Sequence, residues 1–190
     1  MMDQTEIYFL DSVELAIPDL AADGFILDIG GGGEGVIGRL RKDLVIAIDT
    51  NRDELMEAPE GPLKIVMDAR KLLFLDSTFS TATAFFSFMY IDEESDQSKV
   101  FEELYRVLRP GGHLHMWDVI LDKHPETNKS VFAIRLKCHV GDAVCETAYG
   151  RPWPTGPRDI AHYTKLAKAT GFRRAAMKQH GRTFYALFQK

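Results

Sequence analysis

A chain of 190 residues, 45% hydrophobic and 27% charged, is long enough for one well-filled domain and has the composition of a globular protein. Its 23 basic and 28 acidic residues leave a net charge of −5, which offers no broad cationic footprint for a nucleic-acid backbone. The first twenty residues lack a basic leader and a long apolar run, and Cys138 and Cys145 are too few for a disulfide framework. The expectation is therefore a cytoplasmic protein with reduced thiols and no membrane span.

In chain order, Asp11 to Ala22 reads as amphipathic, and residues 1–23 are expected to form an N-terminal helical segment. Phe25 to Ile29 is a short buried strand, followed by a glycine-rich loop into a helix over Val36 to Lys42. Leu44 to Asp49 is a second strand, Arg52 to Ala58 a short helix, and Leu63 to Met67 a third strand ending at Asp68. Thr81 to Met89 is apolar throughout and reads as a fourth strand, central in its sheet. Asp96 to Leu108 repeats apolar residues at helical spacing (Val100, Leu104, Val107, Leu108) until Arg109-Pro110-Gly111-Gly112 stops it. A fifth strand runs from His113 to Leu121.

The alternation then breaks. Val131 to Val140 and Ala143 to Tyr149 read as a hairpin turning at Gly141-Asp142, within an insert over residues 122–158. A proline- and glycine-rich loop carries Trp153, and helix Ile160 to Thr170 ends at Gly171. Arg173 to Gln179 and Arg182 to Phe188 close the chain as an antiparallel pair. Strands alternating with helices predict one α/β domain over residues 1–190. Its expected form is a Rossmann-like, doubly wound, seven-stranded and mostly parallel sheet, with an antiparallel C-terminal strand and an inserted β-hairpin.

Gly30, Gly32 and Gly35 fit G-x-G-x-x-G, and Asp49 lies 19 residues past Gly30, a spacing written for dinucleotide sites. The motif is weak alone, so its neighbours decide. Asp28 would repel a pyrophosphate but favour a ligand carrying a sulfonium and an ammonium. Asp49, ending the second strand, suits both ribose hydroxyls of either ligand. Asp68, ending the third, is placed to accept from an adenine amino group. Asp28 and Asp68 also have a plainer reading as turn residues. No Tyr-x-x-x-Lys pair is present. S-adenosylmethionine is therefore favoured over NAD(P). His113, His115, Asp118, Cys138, His139 and Cys145 match no standard zinc spacing, and no metal is expected. The phenylalanines Phe85, Phe86 and Phe88 read mainly as core, with Tyr90 reaching the site. Trp153 is either a lid over a substrate or packing against the hairpin.

The stretches ILDIGGGGEG, VIAID, IVMDA, AFFSFMYI and EELYRVLRPGGHL, with TGF before the last two strands, resemble class I S-adenosylmethionine-dependent methyltransferases. The resemblance covers roughly residues 24–190. It implies that Asp28, Gly30 and Gly32 face the methionine part of the donor, on a loop that also includes Gly31, Glu34 and Gly35. Asp49 takes the ribose, with Thr50 and Asn51 beside the adenosine. Asp68 and Ala69 take the adenine, and Phe86, Ser87 and Phe88 form the strand end closing over the donor. One departure is Glu34, which stands where the family has a third glycine; Gly35 comes one residue later, and Glu34 is expected to turn outward. S-adenosylhomocysteine is the implied product.

Methyl transfer is an in-line displacement at an already activated carbon, so the signature describes the donor rather than the acceptor. A small-molecule acceptor is expected, with Tyr90 touching it. Asp92, Asp118, Tyr149 and His162 are further candidate bases. The hairpin either lids the site or forms the seam of a homodimer. The alternatives are an NAD(P)-dependent oxidoreductase and a non-catalytic module that binds S-adenosylmethionine or adenosine.

Overall fold

The computed structural model describes residues 6–121 and 124–190; positions 1–5 of the expected N-terminal segment and 122–123 of the expected insert lie outside the described residues. In chain order the elements are strands β1 (Ile7–Phe9), β2 (Val13–Ile17) and β3 (Ile26–Ile29), helix α1 (Val36–Arg41), β4 (Val45–Asp49), α2 (Arg52–Glu57), β5 (Leu63–Val66) and β6 (Phe79–Phe85). There follow α3 (Glu94–Val107), β7 (Leu108–Val119), β8 (Val131–Val140), β9 (Ala143–Pro152), α4 (Ile160–Thr170), β10 (Arg173–His180) and β11 (Thr183–Gln189).

The main sheet has the order β10-β11-β7-β6-β3-β4-β5. β3 to β7 are mutually parallel, while β11 runs antiparallel to β7 and to β10. β3 (ILDI) is buried along its whole length, as a strand covered on both faces must be. From β3 the chain builds outward to β4 and β5, then returns to lay β6 on the other side of β3. The loops after β3 and β6 therefore leave in opposite directions and open a crevice between them.

Each face of the sheet has its own core. On one, Leu27, Ile29, Ala82, Ala84, Leu114, Met116 and Phe184 pack against Phe101 and Leu104 of α3 and against Tyr163 and Leu166 of α4. On the other, Ile26, Val45, Ala47, Phe85 and Trp117 pack against Val36 and Ile37 of α1 and against Phe132, Ile134 and Leu136. The last three belong to a second sheet built around β8. One edge of β8 pairs antiparallel with β9 from Val131↔Pro152 to Val140↔Ala143. The other edge pairs parallel with β1 (Ile7↔Val131) and then with β2 (Val13↔Leu136).

The N-terminal segment is thus strand, not helix. Val13 and Ile17 are buried, Leu15 is half-buried, and Glu14 and Ala16 are exposed, an alternation of period two; the spacing of Val13 and Ile17 fits a helical face as well, and β8 supplies the hydrogen-bonding edge that the local sequence does not reveal. Two further boundaries differ. β6 stops at Phe85, because Phe86 takes the left-handed conformation (φ 53°) and Phe88–Tyr90 forms a 3-10 turn. Arg109 to Gly112 belongs to β7: the Gly111 N–H donates to the Lys190 carbonyl (2.9 Å) and Lys190 donates to that of Gly112 (3.0 Å). The irregularity that the proline and glycines introduce is a register slip against β6 between Phe79 and Thr81. No helix among the described residues is long and apolar enough to cross a membrane.

Phe132 is fully buried between the two sheets. Phe132→Ala is expected to lower unfolding stability by roughly 3–5 kcal/mol, measured by urea denaturation; a loss below about 1 kcal/mol would show that the second sheet packs loosely.

Candidate functional site

A cavity of about 1120 Å³ opens at the C-terminal ends of β3, β4, β5 and β6, under the end of β9. Its floor is the glycine loop. The N–H groups of Gly30 and Gly31 donate to the Ile48 carbonyl (2.8 and 3.1 Å), that of Gly33 to Glu54 (2.8 Å) and that of Gly35 to Gly32 (3.2 Å). The loop runs in a slot without room for side chains. A β-carbon at Gly30 would lie 2.5 Å from the Ser87 Cβ, at Gly31 2.8 Å from that of Ala47, and at Gly32 2.7 Å from that of Glu54.

Asp28 lies beneath this floor and does not line the cavity. It is 3% exposed; the Thr83 hydroxyl donates to its Oδ1 (2.6 Å), and its Oδ2 sits directly under Gly31. Burial pushes its carboxyl up to about 7, against the Thr83 hydrogen bond and with some help from the charge of Asp49. Gly30, Gly32 and Glu34 line the cavity, whereas Gly31 and Gly35 lie behind it, Gly35 against Pro59. Glu34 does not turn fully outward: half-buried, its charge reaches Glu54, Tyr149 and Cys138.

Asp49, Thr50 and Asn51 form the adjoining wall. The Asn51 N–H donates to Asp49 Oδ1 (2.8 Å), and Asp49 Oδ2 points to Gly32, 3.1 Å from where its β-carbon would be. Asn51 in turn caps α2, its Oδ1 accepting from Asp53 (3.0 Å) and Glu54 (3.5 Å), so one Asx turn fixes both the carboxylate and the helix. Asp68 and Ala69 reach the far end of the cavity. Both oxygens of Asp68 are held by the Arg70 guanidinium (2.7–3.0 Å), which also binds Asp96 (2.5 Å). That pairing holds the Asp68 carboxyl below the usual range.

Of the three residues expected to close over the donor, Phe86 and Ser87 line the cavity. Phe88 does not; it is buried on the opposite face against Phe101 and Tyr163, because the backbone reversal at Phe86 turns the strand alternation over. Ser87 has a buried Oγ without a partner among the described residues. β9 forms the roof. Tyr149 stacks on Phe86 (5.4 Å, 12°), the Tyr90 hydroxyl donates to the Gly150 carbonyl (3.5 Å), and the Arg151 guanidinium binds the Met89 carbonyl and the Asp92 carboxylate. From below, Asp118 accepts from the Met89 N–H (2.9 Å). Burial pushes Asp118 up to about 7.

Tyr90, Asp92 and Tyr149 therefore reach the cavity, while Asp118 lies under the turn and His162 pairs with Gln97 (2.7 Å) beside a separate pocket. Trp153 packs on the insert, against Phe132 and Tyr8, and donates to the Lys129 carbonyl (2.9 Å). Among the described residues no three His, Cys, Asp or Glu side chains are placed to hold a metal. The sequence reading missed Arg39, Glu54 and Arg70 in the wall; Asp-x-Arg at residues 68–70 is the one local signal that could have indicated the guanidinium over Asp68.

Residues 27–116 match the family model described as a methyltransferase domain. A 56-residue stretch is 41% identical to the sterol 4-C-methyltransferase strm-1 of Caenorhabditis elegans, spanning 30% of this chain and 16% of that protein's length. Among solved structures, a methyltransferase from Methanosarcina mazei aligns with a TM-score of 0.65 at 20% identity, over 90% of this chain and 94% of that one. One from Mesorhizobium loti aligns with a TM-score of 0.62 at 14% identity, over 92% and 94%. At these identities the structural matches show the α/β Rossmann-like fold.

Two outcomes follow from the floor. Gly32→Ala drives a methyl group into Glu54 and Asp49 and is expected to abolish ligand binding in the cavity by calorimetry while the chain remains folded. The second concerns pH. An unfolded aspartate titrates near about 3.9, so the folded chain, with Asp28 and Asp118 raised to about 7, holds more protons than the unfolded one between those values. Stability then falls as pH rises through that window. Asp28→Asn keeps an acceptor for Thr83 and removes one of the two contributions; urea midpoints from pH 5 to 8 should fall less steeply than in the wild type, and an equal slope would contradict the raised value.

Proposed function

We propose that this chain is a class I S-adenosylmethionine-dependent methyltransferase, a reading supported by the family match over residues 27–116, and that it binds S-adenosylmethionine in the cavity above the glycine loop and methylates a small-molecule acceptor admitted under β9. The observation that carries the reading is the pairing of Asp49 Oδ2, free of hydrogen-bond partners among the described residues and aimed across Gly32, with a floor on which no β-carbon fits. A ribose diol needs that acceptor, and an extended ligand lying on backbone needs that clearance. The seven-stranded sheet and the β8–β9 insert are, in this reading, the chain's own form of the family fold, in a cytoplasmic setting.

The residues present suit this donor better than a dinucleotide. Glu34, Asp49, Glu54, Glu57, Asp68, Asp92, Glu93 and Asp96 line the cavity against two arginines, a field that repels a pyrophosphate and favours a cationic ligand. The same field disfavours a nucleic-acid acceptor. When bound, the donor supplies a methyl group already activated by its sulfonium. The chain contributes position and dryness: Gly30 and Gly32 let the ligand lie against backbone, Asp49 fixes the ribose, and Ser87 offers a hydroxyl at the cavity wall. Tyr149, stacked on Phe86, excludes water from above, and Tyr90, 48% exposed at the rim, meets the acceptor.

Calorimetric titration tests this directly. S-adenosylhomocysteine is expected to bind in the micromolar range, and Asp49→Ala to weaken it about tenfold or more through loss of charge-assisted hydrogen bonds. NAD and NADP are expected not to bind; saturable binding of either in place of the adenosyl ligand would make the site a dinucleotide site.

A further inference from the structure

Charge is unevenly divided along the chain. After Asp159 it carries seven lysines and arginines and no aspartate or glutamate, although the whole chain has a net charge of −5. Three of the seven, Arg173, Arg174 and Lys178, stand on β10, the terminal strand of the main sheet. One edge of β10 pairs with β11, and the other pairs with no strand among the described residues. All eight of its residues are exposed. A strand that buries neither face is held chiefly by its bonds to one neighbour, and its other edge presents a row of unpaired N–H and C=O groups.

The side chains of β10 divide between the two faces. Arg174 lies opposite Phe188 and donates to the Thr164 hydroxyl of α4 (3.1 Å), on the face of the first core. Lys178 lies opposite Tyr185, on the face of the second. Between these charges come Ala175, Ala176 and Met177, the last 43% exposed. We propose that the free edge of β10 receives an extended acidic segment of a partner protein, which adds to the main sheet as an eighth strand. Carboxylates toward the two ends of that segment answer Arg174 and Lys178, and an apolar residue at its middle answers Met177. The distribution of charge selects this occupant. A second copy pairing antiparallel about Ala176 would set Arg174 against Lys178, like charge against like. A nucleic-acid backbone or an anionic membrane would meet one face of the strand, whereas an added strand, whose side chains also alternate, meets both. The irregularity between Arg174 and Ala176 and the basic groups guard the edge against indiscriminate pairing, so a partner is admitted by its charge. No residue of β10, β11 or β7 lines the cavity among the described residues, and the proposal stands apart from the donor reading.

A display library of random peptides, each about ten residues or one long strand, is selected against the intact chain. The enriched peptides are then measured by fluorescence anisotropy. They are expected to be rich in Asp and Glu and to lose affinity as salt is raised. Charge reversal by Arg174→Glu with Lys178→Glu, in a chain shown by circular dichroism to be folded, should weaken them about tenfold or more. Two sets of N-methylated peptides supply the readout specific to a strand, on the wild-type chain. Successive N–H groups of a strand point to opposite edges, so methylating one alternate set should cost about tenfold and methylating the other should cost nothing. Equal effects of the two sets refute strand addition, and affinity that survives charge reversal refutes the site. Enrichment of peptides without acids, or of none, overturns the proposal. So does binding of oligothymidylate or phosphatidylserine vesicles, but not of acidic peptides, that the same charge reversal abolishes. A dimer in sedimentation that charge reversal disperses or tightens would give the edge to a second copy and overturn it as well.

Discussion

Gly30, Gly31 and Gly32 pass between Ser87, Ala47 and Glu54 with no room for a β-carbon, and the site depends on that clearance. Ser87 follows β6, Ala47 lies on β4 and Glu54 on α2, so the loop is the point at which three separate elements converge. Because the loop is pinned by its own N–H groups to the Ile48 and Glu54 carbonyls, it cannot relax away from a substituted side chain. Close packing of this kind transmits a displacement instead of absorbing it.

What the loop does for the floor, the second sheet does for the roof. β8 and β9 cover the face of the main sheet that α1 leaves bare, and the end of β9 projects beyond it as Tyr149 and Gly150. The turn that follows β6 is then gripped from three directions: Arg151 from the insert, Asp118 from β7, and Arg158, whose guanidinium donates to the Ile91 and Asp92 carbonyls. Arg158 is buried, and a buried guanidinium needs carbonyls or carboxylates around it; its terminal nitrogens have them, while its Nε has no partner among the described residues. Covering the core and shaping the cavity are one structural task, shared by the same few residues.

Much of this was legible in the sequence, and the parts that were not share a cause. The short apolar runs at Ile26–Ile29 and Val45–Asp49 are strands whose burial on both faces is written in their composition, and the residues after each run locate the crevice. The N-terminal segment misled because its partner lies far along the chain: Val13-Glu-Leu-Ala-Ile17 alternates well enough for a strand, but a strand without a visible edge to join reads as easily as an amphipathic helix. At Thr81–Met89 hydrophobicity could not reveal where the backbone turns, since Phe85, Phe86 and Phe88 are equally apolar, yet the first two join one core and line the cavity while Phe88 joins the other. Asp28 and Asp68 stand where the spacing puts them, but spacing is silent about burial and about a neighbour such as Arg70. Arg39 was invisible for a related reason. An exposed arginine on a helix is ordinary, and what distinguishes it is a guanidinium bonded to a backbone carbonyl, that of Glu34, and to no carboxylate among the described residues of a wall full of acids.

The parallel pairing of β2 with β8 sets an order of assembly. Val13 is matched to Leu136, about 120 residues later, whereas β3 and β4 meet within about 20. Closing the longer loop carries the greater entropic cost and is favoured once other contacts have shortened it. On a ribosome the first strands must wait, unpaired, until the strand that receives them has been made. By then β3 to β7, with the glycine floor and the wall formed by Asp49 to Asn51, already have all their parts. The chain would thus complete the floor and side wall of the cavity before the roof that closes it, and a ligand present during synthesis would meet an open bowl.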